Sequence, residues 1–288
     1  MTTVSAPHDI LDQVEIRPRV DYITITTPGK VDLPELGGRP HWSKKYNYQR
    51  LSIHDLHPGD IPALQKVLPE ALVMKIEVAI DFVPIASVTD IAERTRIRQQ
   101  VHAWLVKHLH PLDAPFMEGV ELMTFDPVGW LIRPFNFRAP LGREEVLYGH
   151  RSRPVQVKIY TKLVDNKNNL DESRCCVRAE TTLGTEACRH YGLYTLGDLH
   201  TFKFRKVLSP YFRLTSGARI RRRRSRRPIL QVVNERIQQV RQRWANEAWI
   251  QNGVRAVDDF SDRTLSRLVQ PNQRIGKALS RLQSRFAC

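Results

Sequence analysis

The chain has 288 residues, 41% of them hydrophobic, enough to bury a sizeable core in one large domain with an appendage or in two domains. Its 45 Lys and Arg against 30 Asp and Glu give a formal charge of +15, which points to a polyanionic partner, nucleic acid first. No apolar run approaches the ~18 residues of a spanning helix, and the polar start MTTVSAPHDI lacks a signal-peptide core, so the expectation is a soluble, cytoplasmic protein with no membrane partner.

Residues 1–16 show no periodicity and read as a flexible tail. "VDYITITTP", Val20 to Pro28, is a β-branched run closed by Pro28-Gly29, a strand and then a turn. "LPELGGRPHWSKK" reads as a loop and "YNYQRLSIHD" as a second strand. "GDIPALQKVLPE" reads as a short helix with Asp60 at its N-cap and Pro62 in its first turn. "ALVMKIEVAIDFVP" is a third strand. From about Ser87 to Lys107, Val88, Ile91, Ile97, Val101, Trp104 and Leu105 recur near a 3.6 period and predict a long helix. "EGVELMTF", "GWLIRPFNF", "EVLYGH", "VQVKIYTK" and "CVRAETTL" are strand candidates, followed by a short helix from about Thr185 to Tyr191.

Strands thus dominate the middle of the chain, and the fold expected is α+β, a largely antiparallel sheet packed by helices. A composition break follows. "SGARIRRRRSRRP" holds seven arginines in nine residues (Arg219, Arg221, Arg222, Arg223, Arg224, Arg226, Arg227), a basic linker able to track phosphates. The division expected is a tail to residue 16, a catalytic domain over 17–215, an arginine-rich linker over 216–228 and a helical segment over 229–288. Cys175, Cys176, Cys188 and Cys288 show no zinc spacing and no disulfide-scaffold density, which makes them free thiols.

Three strands carry the same pattern, because strand side chains alternate between faces. In "VQVKIYTK", Val155, Val157 and Ile159 share one face while Lys158, Tyr160 and Lys162 share the other. In "KIEVAID" the polar face holds Glu77 and Asp81, and in "CVRAETTL" it holds Arg178, Glu180 and Thr182. If these strands are neighbours, Glu77, Asp81 and Glu180 make an oxygen cluster of the kind that Mg²⁺ or Mn²⁺ prefers. Tyr160 beside it is a candidate nucleophile for phosphorus, with the lysines favouring its phenolate. A solvated sheet face is the plain alternative.

The order "KIEVAIDF", "VQVKIYTK", "VRAETTLGTEACRHYGL" resembles the gene-two replication initiators of filamentous phages and the related plasmid replication-initiation factors, over residues 17–200. The resemblance implies a rolling-circle enzyme that nicks one strand of double-stranded origin DNA, stays joined to the 5′ phosphate through tyrosine and later rejoins the strand. Tyr160 then matches the nucleophile, Lys162 the lysine two residues on, and Glu77 and Glu180 the acidic residues. Lys158 and Arg178 would hold phosphates. Glu77 stands where the family usually has aspartate, which leaves the choice of ligand between Glu77 and Asp81 open. "LYGHRSRP" resembles the plasmid-type lead-in and makes Tyr148 the alternative nucleophile. The implied partners are origin duplex, displaced single strand and host replication proteins such as a helicase.

Other signals are weaker. His108-Leu109-His110 has the spelling of a two-histidine metal strand but ends a helix before Pro111; His54 and His57 read as loop groups; His150 and Arg153 lie too close to Tyr160 for a tyrosine-recombinase site. A non-enzymatic DNA-binding regulator would need only the basic linker and the C-terminal helices. A transposase or relaxase would share the tyrosine chemistry and differ in its DNA target.

Overall fold

A computed structural model describes residues 9–45, 48–117, 122–125, 131–132, 145–149, 153–165, 168–219 and 263–287. Arg221, Arg222, Arg223, Arg224, Arg226 and Arg227, the expected helix after Pro228, His150 and Cys288 lie outside the described residues.

The first helix and strands are α1 (Asp9–Asp12), β1 (Val14–Thr27), β2 (Arg39–Lys45), β3 (Tyr48–His54), α2 (Asp60–Val67), β4 (Leu72–Pro84) and α3 (Ile91–His108). Then come β5 (Leu122–Phe125), β6 (Leu131–Ile132), β7 (Glu145–Tyr148), β8 (Val155–Lys162), β9 (Val164–Asp165), β10 (Asn168–Asn169) and β11 (Cys176–Gly184). The chain continues through α4 (Thr185–His190), α5 (Phe204–Leu208), β12 (Thr215–Arg219), β13 (Arg263–Arg267) and α6 (Val269–Phe286).

Among the described residues nine strands form one sheet in the order β2-β3-β1-β4-β11-β8-β7-β5-β6, every pairing antiparallel. The fold is α+β, as its alternating strands predict. Ile76, Val78, Ile80 and Phe82 of β4, Val157 and Ile159 of β8, and Val177 and Ala179 of β11 belong to one hydrophobic core. Helix α3 packs on these three strands and buries Ile97, Val101 and Leu105, each worth about 1.5–3 kcal/mol against exposure. It begins where Asp90 accepts a hydrogen bond from the Glu93 amide at 2.9 Å, a cap worth about 1 kcal/mol. Extended backbone at Leu109 stops it, ahead of Pro111.

Three expectations change. The tail ends earlier than residue 16, because Leu11, Val14 and Ile16 are buried and β1 starts at Val14. β2 falls within the stretch read as a loop: its sequence RPHWSKK has no apolar alternation, and backbone pairing to β3 makes it an edge strand. Asp60 is the first helical residue and not the N-cap; its buried carboxylate accepts instead from the amides of Gly37 (2.7 Å), Gly38 (3.0 Å) and His57 (2.9 Å). Gly38 is required there, since a Cβ would lie 2.8 Å from Ile53 and 2.9 Å from the His54 carbonyl.

Helix α6 belongs to the same core through Ile275, Ala278, Leu279, Leu282 and Phe286. β3 pairs with β1 only from Tyr22 onward, so among the described residues no strand pairs with the edge of residues 14–20 on that side. Arg281 and Arg285 of α6 donate to the Ile16 and Pro18 carbonyls on this edge, at 3.0 and 3.4 Å. Among the described residues, no helix is long and apolar enough to cross a membrane.

Candidate active site

The four central strands β1, β4, β11 and β8 turn their polar positions to the face opposite α3. Register places Glu180 opposite Lys158, Arg178 opposite Tyr160 and Asp81, and Thr182 opposite Glu77. The pattern read strand by strand is therefore one contiguous patch.

Its centre is a trio of carboxylates. Oxygens of Asp21, Glu77 and Glu180 all lie within 4.8 Å of one another. Asp21 reaches them because β1 carries an irregularity: Val20 pairs with Val78 and Tyr22 with Glu77, so Asp21 is an extra residue in the ladder. A bulge of this kind re-aims a side chain. Glu77 Oε2 accepts from the Thr182 hydroxyl at 2.6 Å. Glu180 is gripped twice, by the Tyr160 hydroxyl on Oε2 at 2.9 Å and by the Lys158 ammonium on Oε1 at 3.0 Å.

Electrostatics follow from crowding like charges in a buried place. Burial, then the neighbouring Glu180, pushes the Glu77 carboxyl up to about 7, against the pull of Lys158 and Thr182. Burial opposes the charge on Lys158, but Glu180 and Glu77 prevail and hold its ammonium protonated. The Tyr160 hydroxyl is driven well above the usual phenol value, first by burial and then by Glu180. This corrects the expectation that the lysines favour its phenolate: Lys158 is spent on Glu180, and Lys162 turns to Asp165 at 3.2 Å.

Asp81 is not in the trio. Arg178, fully buried, donates to it twice, Nε at 2.6 Å and Nη2 at 2.8 Å, and gives its remaining Nη1 to Asp21. Arg178 is thus a strut between carboxylates and not an exposed phosphate ligand. Tyr148 is buried in the core, with its hydroxyl donating to the Leu109 carbonyl at 3.3 Å. It lies on the wrong side of the sheet for a nucleophile. His108 donates from Nδ1 to the Thr215 carbonyl at 2.8 Å and is no part of the trio. Arg219 ends β12.

No protein-family model matches this chain, and no curated protein matches it. Among solved structures it is similar to a rolling circle replication initiator protein from Geobacillus stearothermophilus, with 14% sequence identity and a TM-score of 0.35 over 84% of this chain and 99% of that one. The chemistry of the site rests on its own residues.

Two of those residues escape a reading by strand alternation. Asp21 joins the trio, and Tyr22, opposite Glu77, lies under the Lys75 ammonium, 4.9 Å from the ring centre, and against the His54 ring at 5.4 Å. Burial and then Glu77 raise the Tyr22 hydroxyl far above its ordinary value. The signal for both was present in the sequence: the buried apolar positions run Val14, Ile16, Val20 and then Ile23, Ile25, a phase slip of one across Asp21-Tyr22.

Proposed function

We propose that this protein is a nicking-closing enzyme that breaks a DNA phosphodiester by attack of Tyr160 and keeps the 5′ phosphate on that tyrosine, as a rolling-circle replication initiator does. One observation carries the reading. The hydroxyl of half-buried Tyr160 donates to Glu180, one of two buried carboxylates that meet a third, half-buried one, on a protein of net charge +15. The sequence resemblance to the filamentous-phage gene-two initiators supports the same assignment, with Tyr160 as nucleophile and Glu77 and Glu180 as acidic residues.

The trio also fits a divalent cation. Three hard oxygen donors converge from three strands, and burial first, then Glu180 and last Asp21, raise the Glu77 carboxyl, a cost that positive charge between them would relieve. Asp21, Glu77 and Glu180 would hold Mg²⁺ or Mn²⁺; bound there, the ion would draw charge from the phosphate and the departing 3′ oxygen. Arg178 fixes Asp21, and Thr182 fixes Glu77, so the donors are positioned beforehand.

The protein's own groups supply the rest. Glu180 Oε2 is within reach to take the Tyr160 proton as the phenolic oxygen closes on phosphorus. The P–O3′ bond breaks, the 3′ oxygen takes a proton from solvent, and the tyrosyl phosphate conserves the energy of the bond. A later 3′ hydroxyl attacks that phosphate and gives its proton to solvent, the P–O bond to Tyr160 breaks, the phenolic oxygen takes back its proton from Glu180, and the strand closes without ATP. The Lys158 ammonium stays paired with Glu180 and holds that carboxylate beside the nucleophile. A regulator that only binds DNA has no use for this arrangement.

The test is incubation of the protein with supercoiled origin-bearing DNA and Mg²⁺, followed by denaturing electrophoresis. Nicked circles and a protein-DNA adduct, both lost in Tyr160→Phe, are expected. Tight binding with neither product would favour the regulator.

A further inference from the structure

A cleft of about 370 Å³ opens on the polar face of the sheet beside the carboxylate trio. Its lining includes six cationic side chains, Arg17, Arg19, Lys162, Arg174, Arg178 and Arg285, against the carboxylates of Asp55 and Asp81. Buried Arg178 forms its floor and is already used by Asp81 and Asp21. The rim differs. Arg17 pairs with Glu15 where both side chains are more than half exposed, an interaction worth little. Arg174 and Arg285 are exposed and have no carboxylate partner among the described residues; Arg285 gives one Nη1 to the Pro18 carbonyl at 3.4 Å and keeps its full charge for an incoming anion.

A rim of cations over a floor that is already neutralised suits an anion arriving from solvent. Size and lining narrow its class. The volume is that of a small-molecule pocket, matching a nucleotide and too small for a duplex. Among the described residues no Phe, Tyr or Trp lines it and His57 is its one aromatic ring, a small platform for base stacking, while Val83 and Leu170 offer apolar walls to a sugar. Position narrows it further. Lys162 lies one same-face step, about 6.6 Å, beyond Tyr160 along β8, and Arg178 spans from Asp81 in the cleft to Asp21 in the trio.

We infer that this cleft holds the sugar-phosphate backbone of a single DNA strand next to the bond that Tyr160 attacks, with Arg17, Arg174 and Arg285 as its phosphate ligands. The inference deepens the nicking reading and rests on it for the identity of the strand. Arg285 brings α6 into the substrate site, and recognition here is independent of base sequence.

The experiment measures anisotropy of a labelled single-stranded oligonucleotide about 16 nucleotides long with the full chain, in EDTA, across a salt series. Arg174→Glu with Arg285→Glu is compared with Lys203→Glu with Lys206→Glu, an equal charge change on exposed residues of and next to α5. The cleft variant should bind about tenfold or more weakly, and its slope of log K against log salt should fall by about 1.4 for two lost contacts. The control should keep the wild-type slope. Arg174→Gln with Arg285→Gln should show the same direction with a smaller loss, which separates a binding effect from misfolding. Equal losses in both charge reversals, wild-type binding by the cleft variant, or equal loss on a blunt duplex would each overturn the inference. Metal-free binding keeps the two readings apart. A wild type that binds through the cleft but never nicks leaves the cleft standing, and nicking with unaltered binding removes the cleft alone.

Discussion

Tyr160 donates its phenolic hydrogen to Glu180 across adjacent strands at 2.9 Å, and Glu180 holds Lys158 on its other oxygen. The tyrosine is therefore presented with an acceptor already in place. Glu180→Gln keeps the shape and cannot take up the proton. Covalent adduct formation should slow by about 10²–10⁴, the usual worth of a positioned acid or base. Tyr22→Phe should leave the adduct in place, because the Tyr22 ring is held between Lys75 and His54 and its hydroxyl serves Glu77. The measurement is the single-turnover rate of adduct formation. An adduct that disappears in Tyr22→Phe and survives in Tyr160→Phe would exchange the two roles.

The raised Glu77 carboxyl sets a pH dependence of stability. Its ordinary value is 4.5, and burial with Glu180 brings it to about 7. Between those values the folded chain keeps a proton that the unfolded chain has released, so stability is fully present below the lower value and declines as pH rises through the upper one. Glu77→Gln should flatten the fall in Tm between about pH 4.5 and pH 7. Mg²⁺, binding only the folded trio, should raise Tm more at about pH 8 than at about pH 5 in the wild type and little in the variant. Calorimetric Tm values across pH, with and without Mg²⁺, check both statements. An unchanged slope in Glu77→Gln would remove this account.

Much of the site was legible because one face of a half-buried strand must be apolar. Ile76, Val78 and Ile80 fix the phase of β4, and that phase alone puts Glu77 and Asp81 on the other side. What alternation does not specify is which polar residues meet. Asp81 shares a face with Glu77 and yet belongs to Arg178, because a guanidinium fork on the neighbouring strand matches it bidentately. Asp21 was hidden by the bulge that makes it useful. β2 was hidden because an edge strand with polar side chains is held by backbone hydrogen bonds that leave no mark in composition.

Arg178 tests how far the trio depends on its supports. Arg178→Lys keeps one positive charge and gives up the fork, so Asp81 is left partly unpaired in a buried place. The loss of stability should be about 3–5 kcal/mol, the range for breaking a buried pair. Asp21 also loses its anchor, and the Mg²⁺-induced rise in Tm should shrink along with it. Denaturant unfolding with and without Mg²⁺ separates the two effects. A variant as stable as the wild type with an unchanged response to Mg²⁺ would mean that Asp21 holds its place without the strut.

Helix α6 decides whether the C-terminal end is an appendage or part of the domain. Asn272, buried, donates to the Leu214 and Leu268 carbonyls and accepts from the Leu214 amide at 3.0 Å, which ties the start of the helix to the chain entering β12. Ile275, Leu279, Leu282 and Phe286 enter the common core at about 1.5–3 kcal/mol each. Together these four side chains rival the roughly 5–15 kcal/mol that separates a folded domain from its unfolded chain. Removing α6 would also release the Ile16 and Pro18 carbonyls and open the edge of β1 to another strand. A chain ending at residue 268 should therefore be unfolded or aggregated, whatever its DNA affinity through the arginine run. Circular dichroism and size-exclusion chromatography are the measurement: a soluble monomer with a cooperative melt would make α6 dispensable to the fold.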